Sequence, residues 1–126
     1  MAQHGTFTWN ELMTPDVAAA KAFYGAALGW TYTEEDMGEN GLYTLAYAPG
    51  EHAPSAGIFE WPEGNPGSRA WFAYIAVDDI DDAVAKVEPA GGQIARGPWH
   101  IPGVGKIALV VDAAGSSIGY LEAEDM

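Results

Sequence analysis

Glu11 sits in a short alternating stretch with Trp9 and Met13. A carboxylate among aromatic rings can pair with a cation, accept a hydrogen bond from a ligand, or serve as a proton-transfer base. Few other residues could do chemistry. There is no cysteine, which excludes disulfides, thiolate metal sites and cysteine nucleophiles together. His4 and His52 lie in a tail and a loop and read as solvated, while His100 stands in the Pro/Gly-rich stretch WHIPGVG. Ser116 and Ser117 fall in a tight turn with no His–Asp arrangement around them. Gly103-Val104-Gly105 is too short for a dinucleotide fingerprint and opens no helix. Asp78, Asp79, Asp81 and Asp82 mark a helix start, where the helix dipole favours anions, and they lack the glycine and terminal glutamate of a calcium loop.

The bulk numbers bound the classes. A chain of 126 residues that is 48% apolar suits one compact domain, or two small halves sharing a core. Eighteen acids against five bases give a formal charge of −13. That field repels phosphates and anionic headgroups, which argues against nucleic-acid and membrane-surface roles. It favours a cationic ligand, although solubility alone also accounts for it. MAQHGTF has neither a basic region nor an apolar core, and no run approaches the roughly 18 apolar residues of a membrane span. A soluble cytoplasmic protein is the expectation.

The elements that must position Glu11 recur. WNELMTPDVAAAKAFYGAALGW, residues 9–30, is echoed 63 positions later by FAYIAVDDIDDAVAKVEPAGGQ, residues 72–93. The echo sets Trp9 on Phe72, Glu11 on Tyr74, Asp16 on Asp79 and Gly29 on Gly92, the mark of a duplicated unit. Phe7 to Met13 alternates as a strand. Thr14 or Asp16 can cap a helix over Val17 to Leu28, which Gly29 ends. Trp30 to Thr33 is β-prone, Glu34 to Asn40 reads as an acidic turn closing in Asn40-Gly41, and Leu42 to Ala48 is the return strand. Ala56 to Trp61 makes a fourth strand, and residues 62–68 a linker. The second half repeats the order: strand Arg69 to Val77, helix Ile80 to Ala90, a strand from Gln93, the loop WHIPGVG, strand Lys106 to Val111 and strand Ser117 to Glu122. The expected fold is α+β, one domain of two βαβββ modules over about 5–62 and 69–124. One helix cannot cover both faces of four strands, so each module should leave a concave side.

The ordered set TPD, FYGAALGW, VDDIDDAV, AGG and IPGVGKIALVVDAAG resembles the vicinal oxygen chelate superfamily across roughly residues 7–123. That group includes glyoxalase I, the bleomycin-resistance proteins, extradiol dioxygenases and methylmalonyl-CoA epimerase. The resemblance implies curled mixed sheets forming a cleft, usually in a homodimer. In metal-dependent members it also implies one divalent ion held by four His, Glu or Gln side chains. Those positions fall here on Trp9, near Phe59, on Phe72 and on Gly119. Trp, Phe and Gly are not useful ligands, so no metal and no other cofactor is expected. A substitute set of Glu11, Glu60, Glu122 and His100 would need bulges to correct the parity of Glu60 and Glu122.

The cleft is then expected to present Trp9, Glu11 and Met13 with Phe72 and Tyr74, joined by Phe59, Trp61, Gly119 and Leu121 and bordered by Trp99 and His100. Aromatic faces hold flat or cationic ligands. They also simply fill space, and Trp30 and Tyr43 read as packing residues. Three readings stay open. One is metal-free binding of an aromatic or cationic small molecule, similar in kind to bleomycin resistance. Another is a lyase or isomerase with Glu11 as base and His100, Tyr74 or Tyr43 as its acid. The third is an interaction module whose cleft is packed shut.

Overall fold

The computed structural model describes residues 3–38, 41–64, 69–101 and 104–124. Strands β1 (Phe7–Thr14), β2 (Thr31–Asp36), β3 (Leu42–Tyr47) and β4 (Ala56–Glu60) accompany helix α1 (Val17–Leu28). Strands β5 (Ala70–Ala76), β6 (Gln93–Ile101), β7 (Gly105–Val111) and β8 (Ser117–Ala123) accompany helix α2 (Ile80–Ala85). The α+β class and the doubled βαβββ order therefore hold. The chain clusters into two compact units, Trp9–Trp71, and Phe72–Met126 with Met1–Thr8. The start of the chain joins the second of these through Gly5 N–H to the Ala76 carbonyl and Ala76 N–H to the Thr6 carbonyl, both 2.8 Å.

In the unit Trp9–Trp71 the strands run in the order β2-β3-β4-β1, with β1 parallel to β4 and the other neighbours antiparallel. Asp16 caps α1 by accepting from Ala19 N–H at 2.9 Å, while Thr14 Oγ1 accepts from Asp16 N–H at 3.1 Å and fixes the turn before it. Gly29 ends the helix in the left-handed conformation, φ 77°. The helix lies on one sheet face, where Tyr32 donates to the Lys21 carbonyl and Lys21 pairs with Glu34. Leu12, Ile58, Thr44, Ala46 and Ala56 are buried on that face. Burial of Tyr32, and then the neighbouring Tyr24, pushes its phenol above the ordinary tyrosine range. β2 continues to Asp36, so the acidic stretch pairs with β3 rather than turning at Glu34, and Asn40 lies outside the described residues.

The unit Phe72–Met126 repeats the arrangement as β5-β8-β7-β6, with β5 parallel to β8. Asp79 caps α2 from Asp82 N–H, and Ile80 packs against Val77 and Ala108. The helix is shorter than the expected Ile80 to Ala90, ending at Ala85 before a run of turns. Pro89 has no N–H to give and its ring would clash with the carbonyl four residues back, that of Ala85. A second difference concerns WHIPGVG. Trp99, His100 and Ile101 belong to β6, and its register shifts at two places around Arg96. Bulges of this kind accommodate the Gly97-Pro98 pair inside a strand. Pro102 and Gly103 lie outside the described residues, as does most of the expected linker, residues 65–68.

Candidate functional site

Strand parity decides which residues share a face, and each unit has a sheet face opposite its helix. In the unit Trp9–Trp71 one row across the strands is Glu11, Gly57, Leu45 and Thr33, and the next is Met13, Phe59, Tyr43 and Glu35. Trp9, two residues before Glu11 in β1, and Trp61, just past the end of β4, extend the same face. Gly57 shapes this surface. A Cβ there would lie 1.8 Å from the Tyr43 hydroxyl, so the absent side chain lets the Tyr43 ring rest across β4. Tyr43 Oη then accepts from Trp9 Nε1 at 3.0 Å. Tyr43, Phe59 and Trp61 continue as a line of rings with centroids 6.3 and 6.1 Å apart. Glu11 stands half-buried directly opposite Gly57, the strand position that the tyrosine covers.

The unit Phe72–Met126 answers with the same device. Gly119 lies opposite Tyr74, and a Cβ on it would fall 2.3 Å from that ring. Tyr74 is buried, at 3% exposure, and meets Phe72 edge-on at 5.4 Å. Its row continues through Leu109 to Arg96. The next row is Ala76, Leu121, Ile107 and Trp99, and the Arg96 guanidinium lies 4.2 Å from the Trp99 ring centroid.

Within its own unit, then, the structure groups Trp9, Glu11, Phe59 and Trp61 on one face, and Phe72, Tyr74, Trp99, Gly119 and Leu121 on another. His100 departs from this set. It is the cross-strand partner of Lys106, whose other partner is Glu122. Glu122 accepts from Ile80 N–H at 2.8 Å at the start of α2, which places that row on the helix side. The imidazole pairs with Glu124. His100 thus adjoins Trp99 in sequence and faces the other way. Tyr43, read from the sequence as a packing residue or a candidate acid and not as part of the ligand-binding set, joins the face of Glu11 and Phe59. Its parity with Leu45 and Tyr47 was readable, yet its role depends on Gly57 being bare beside it. Trp30 packs as expected, stacked on Tyr24 at 4.9 Å, and Trp71 donates to the Tyr24 hydroxyl at 3.2 Å.

These positions bear on the metal that the family resemblance implies. The four ligand positions carry Trp9, Phe59, Phe72 and Gly119, and the last is covered by a tyrosine ring. The substitute carboxylates do not gather either. Glu11 is on the face opposite the helix, while Glu122 and His100 are on the helix side and Glu60 has the parity opposite to Phe59. Among the described residues no group of three or more His, Asp or Glu is placed to hold an ion. The residues present do not fit a divalent cation.

Two repeats of a strand, a capped helix and three strands fit the family that the sequence resembles. The chain belongs to the glyoxalase/bleomycin resistance protein/dioxygenase superfamily, whose model matches residues 6–119. It is 37% identical over 124 residues to a putative glyoxylase, CFP32, of Mycobacterium bovis, covering 96% of this chain and 47% of that protein. It is 34% identical over 125 residues to the anthracycline biosynthesis protein DnrV of Streptomyces peucetius, covering 90% and 45%. The chain thus spans about half the length of these curated relatives. Among solved structures, methylmalonyl-CoA epimerase from Mycobacterium tuberculosis superposes with a TM-score of 0.65 at 18% identity, covering 99% of this chain and 93% of the other. Among the described residues no helix is long and apolar enough to cross a membrane.

Proposed function

We propose that the chain binds a planar aromatic small molecule on the sheet faces opposite its helices, without a metal ion, as one domain of two modules that works as a homodimer. The observation that carries this reading is the pair of glycine–tyrosine contacts, Tyr43 over Gly57 and Tyr74 over Gly119. Tyr74 lays a flat ring where other family members would place a ligating side chain, Tyr43 lays a second beside the Phe59 position, and Trp9, Phe59 and Trp61 are left to stack on a ligand. Each aromatic contact of this kind contributes about 0.5–1.5 kcal/mol beyond the area it buries. The name of the Streptomyces relative, an anthracycline biosynthesis protein, supports an aromatic ligand. The dimer reading draws on the relatives' double length, which a second copy would match.

A thermal-shift screen of fused-ring aromatic compounds, followed by titration of any hit against Trp9→Leu and Phe59→Ala, tests the binding reading. Hits whose affinity drops about tenfold or more in either variant support it. Hits indifferent to both variants would count against these faces.

Proton transfer is the second reading, and the placement of Tyr43 favours it. Glu11 and the Tyr43 ring flank Gly57 on one face, so a carboxylate base and a phenol donor share a surface. A lyase or isomerase of this design would lose turnover in both Glu11→Gln and Tyr43→Phe while retaining ligand affinity. Turnover that persists in Glu11→Gln removes that reading.

A further inference from the structure

Arg96 occupies an unusual position for a base in so acidic a chain. Of the five lysines and arginines, Lys21 pairs with Glu34, Arg69 with Glu63 and Lys86 with Asp82, while Lys106 sits between His100 and Glu122 on the helix side. Arg96 makes no ion pair among the described residues, although acids outnumber bases 18 to five. Its partner is the Trp99 ring, 4.2 Å from the guanidinium carbon. Two register shifts in β6, one on each side of Arg96, allow Arg96 and Trp99 to present to the same face across an odd spacing. Bulges commonly re-aim a side chain in this way. Their cross-strand partners, Leu109 and Ile107, pair in turn with Gly119 and Leu121, so both lie on the face that carries Tyr74.

Stacking engages the flat side of a guanidinium and leaves its edge, a rigid fork of N–H donors, directed outward. That fork matches a carboxylate through two parallel hydrogen bonds. We propose that Arg96 is the specificity-determining residue for the ligand of this face, and that the ligand is an aromatic carboxylic acid whose carboxylate meets the guanidinium while its ring lies against the neighbouring aromatic side chains. The net charge of −13 opposes an anion at long range, but solvent ions screen exposed charges beyond about 8 Å at physiological ionic strength. The fork acts at hydrogen-bond distance.

This assignment rests on the aromatic-face reading above, and three probes of one shape separate the two. 2-Naphthoic acid, 2-naphthamide and 2-naphthylmethylamine are titrated into the wild-type protein, Arg96→Gln and Arg96→Lys, followed by calorimetry. The wild type should bind the acid at least about tenfold tighter than the amide, the usual reach of a charge-assisted hydrogen bond. Arg96→Gln should bring the acid down to the amide's level while leaving the amide within about threefold, and Arg96→Lys should restore part of the preference. An acid no tighter than the amide, an amine that binds best, or an acid preference that survives Arg96→Gln would each overturn the role of Arg96 and leave the aromatic face standing. Failure of all three probes to bind the wild type would overturn both.

Discussion

Replacing Gly119 with alanine should destabilise the protein, and the cause can be isolated. Gly119 has ordinary strand backbone, so a Cβ meets no conformational obstacle there. In a strand the change would by itself help, by about 0.5–1 kcal/mol, because alanine loses less freedom on folding than glycine. The opposing effect is steric. The new methyl carbon would sit 2.3 and 2.4 Å from two carbons of the Tyr74 ring, and that ring is only 3% exposed and cannot swing into solvent. Overpacking of a filled site costs about 1–3 kcal/mol. Less the gain of about 0.5–1 kcal/mol, the net loss is up to about 2.5 kcal/mol, a fall in Tm of up to roughly 15 °C for a domain of this size. Urea unfolding of wild type, Gly119→Ala, Tyr74→Ala and the double variant forms a cycle. Strong coupling, with the alanine at 119 tolerated once the ring is gone, is the expected result. A Gly119→Ala protein as stable as wild type, or a penalty untouched by Tyr74→Ala, would refute the claim that this ring occupies the glycine's space.

Other consequences are more local. Asp16→Ala removes the acceptor for Ala19 N–H and should cost about 0.5–2 kcal/mol of stability, with Asp16→Asn close to wild type in the same urea assay. Asp112, in the β7–β8 turn, is held below the ordinary carboxylate range by the N–H groups of Ser116 and Ala114. Its folded pKa is depressed, so its support of the turn is complete above the ordinary aspartate value of about 3.9 and is lost as pH falls through its own lower value. NMR of the turn amides during acid titration should show that step, and Asp112→Asn should abolish it. Installing a family-like ligand by Gly119→Glu should confer no stoichiometric zinc binding, because Tyr74 already fills the space. Zinc bound at one per chain in that variant would contradict the packing just described.

Much of this architecture was legible in the residues themselves. The repeat fixed the order of elements, and the α1 bounds followed from Asp16 and Gly29, whose chemistry is local. The same locality made the alternation of Trp9, Glu11 and Met13 readable. What escaped depended on contacts across strands. The reach of Tyr43 is set by a bare Gly57 on the neighbouring strand, a relation no period along one strand reveals. His100 looked like a neighbour of Trp99, but sequence cannot show that it belongs to the row of Lys106 and Glu122 on the helix side. The early end of α2 was in fact visible, since Pro89 marks it from four residues away. The continuation of β6 through WHIPGVG was hidden by its proline and glycine, which ordinarily signal a loop and here sit at bulges.

The ligand is proposed to be an aromatic molecule held without a metal ion. The most direct test is titration of 2-naphthoic acid into protein purified without an affinity tag, followed by tryptophan fluorescence with and without excess EDTA. Saturable quenching with the same affinity in both conditions is the expected result. Binding that disappears in EDTA and returns with a stoichiometric divalent ion would contradict it, and would return Glu11, Glu60, Glu122 and His100 to the front as ligands to mutate.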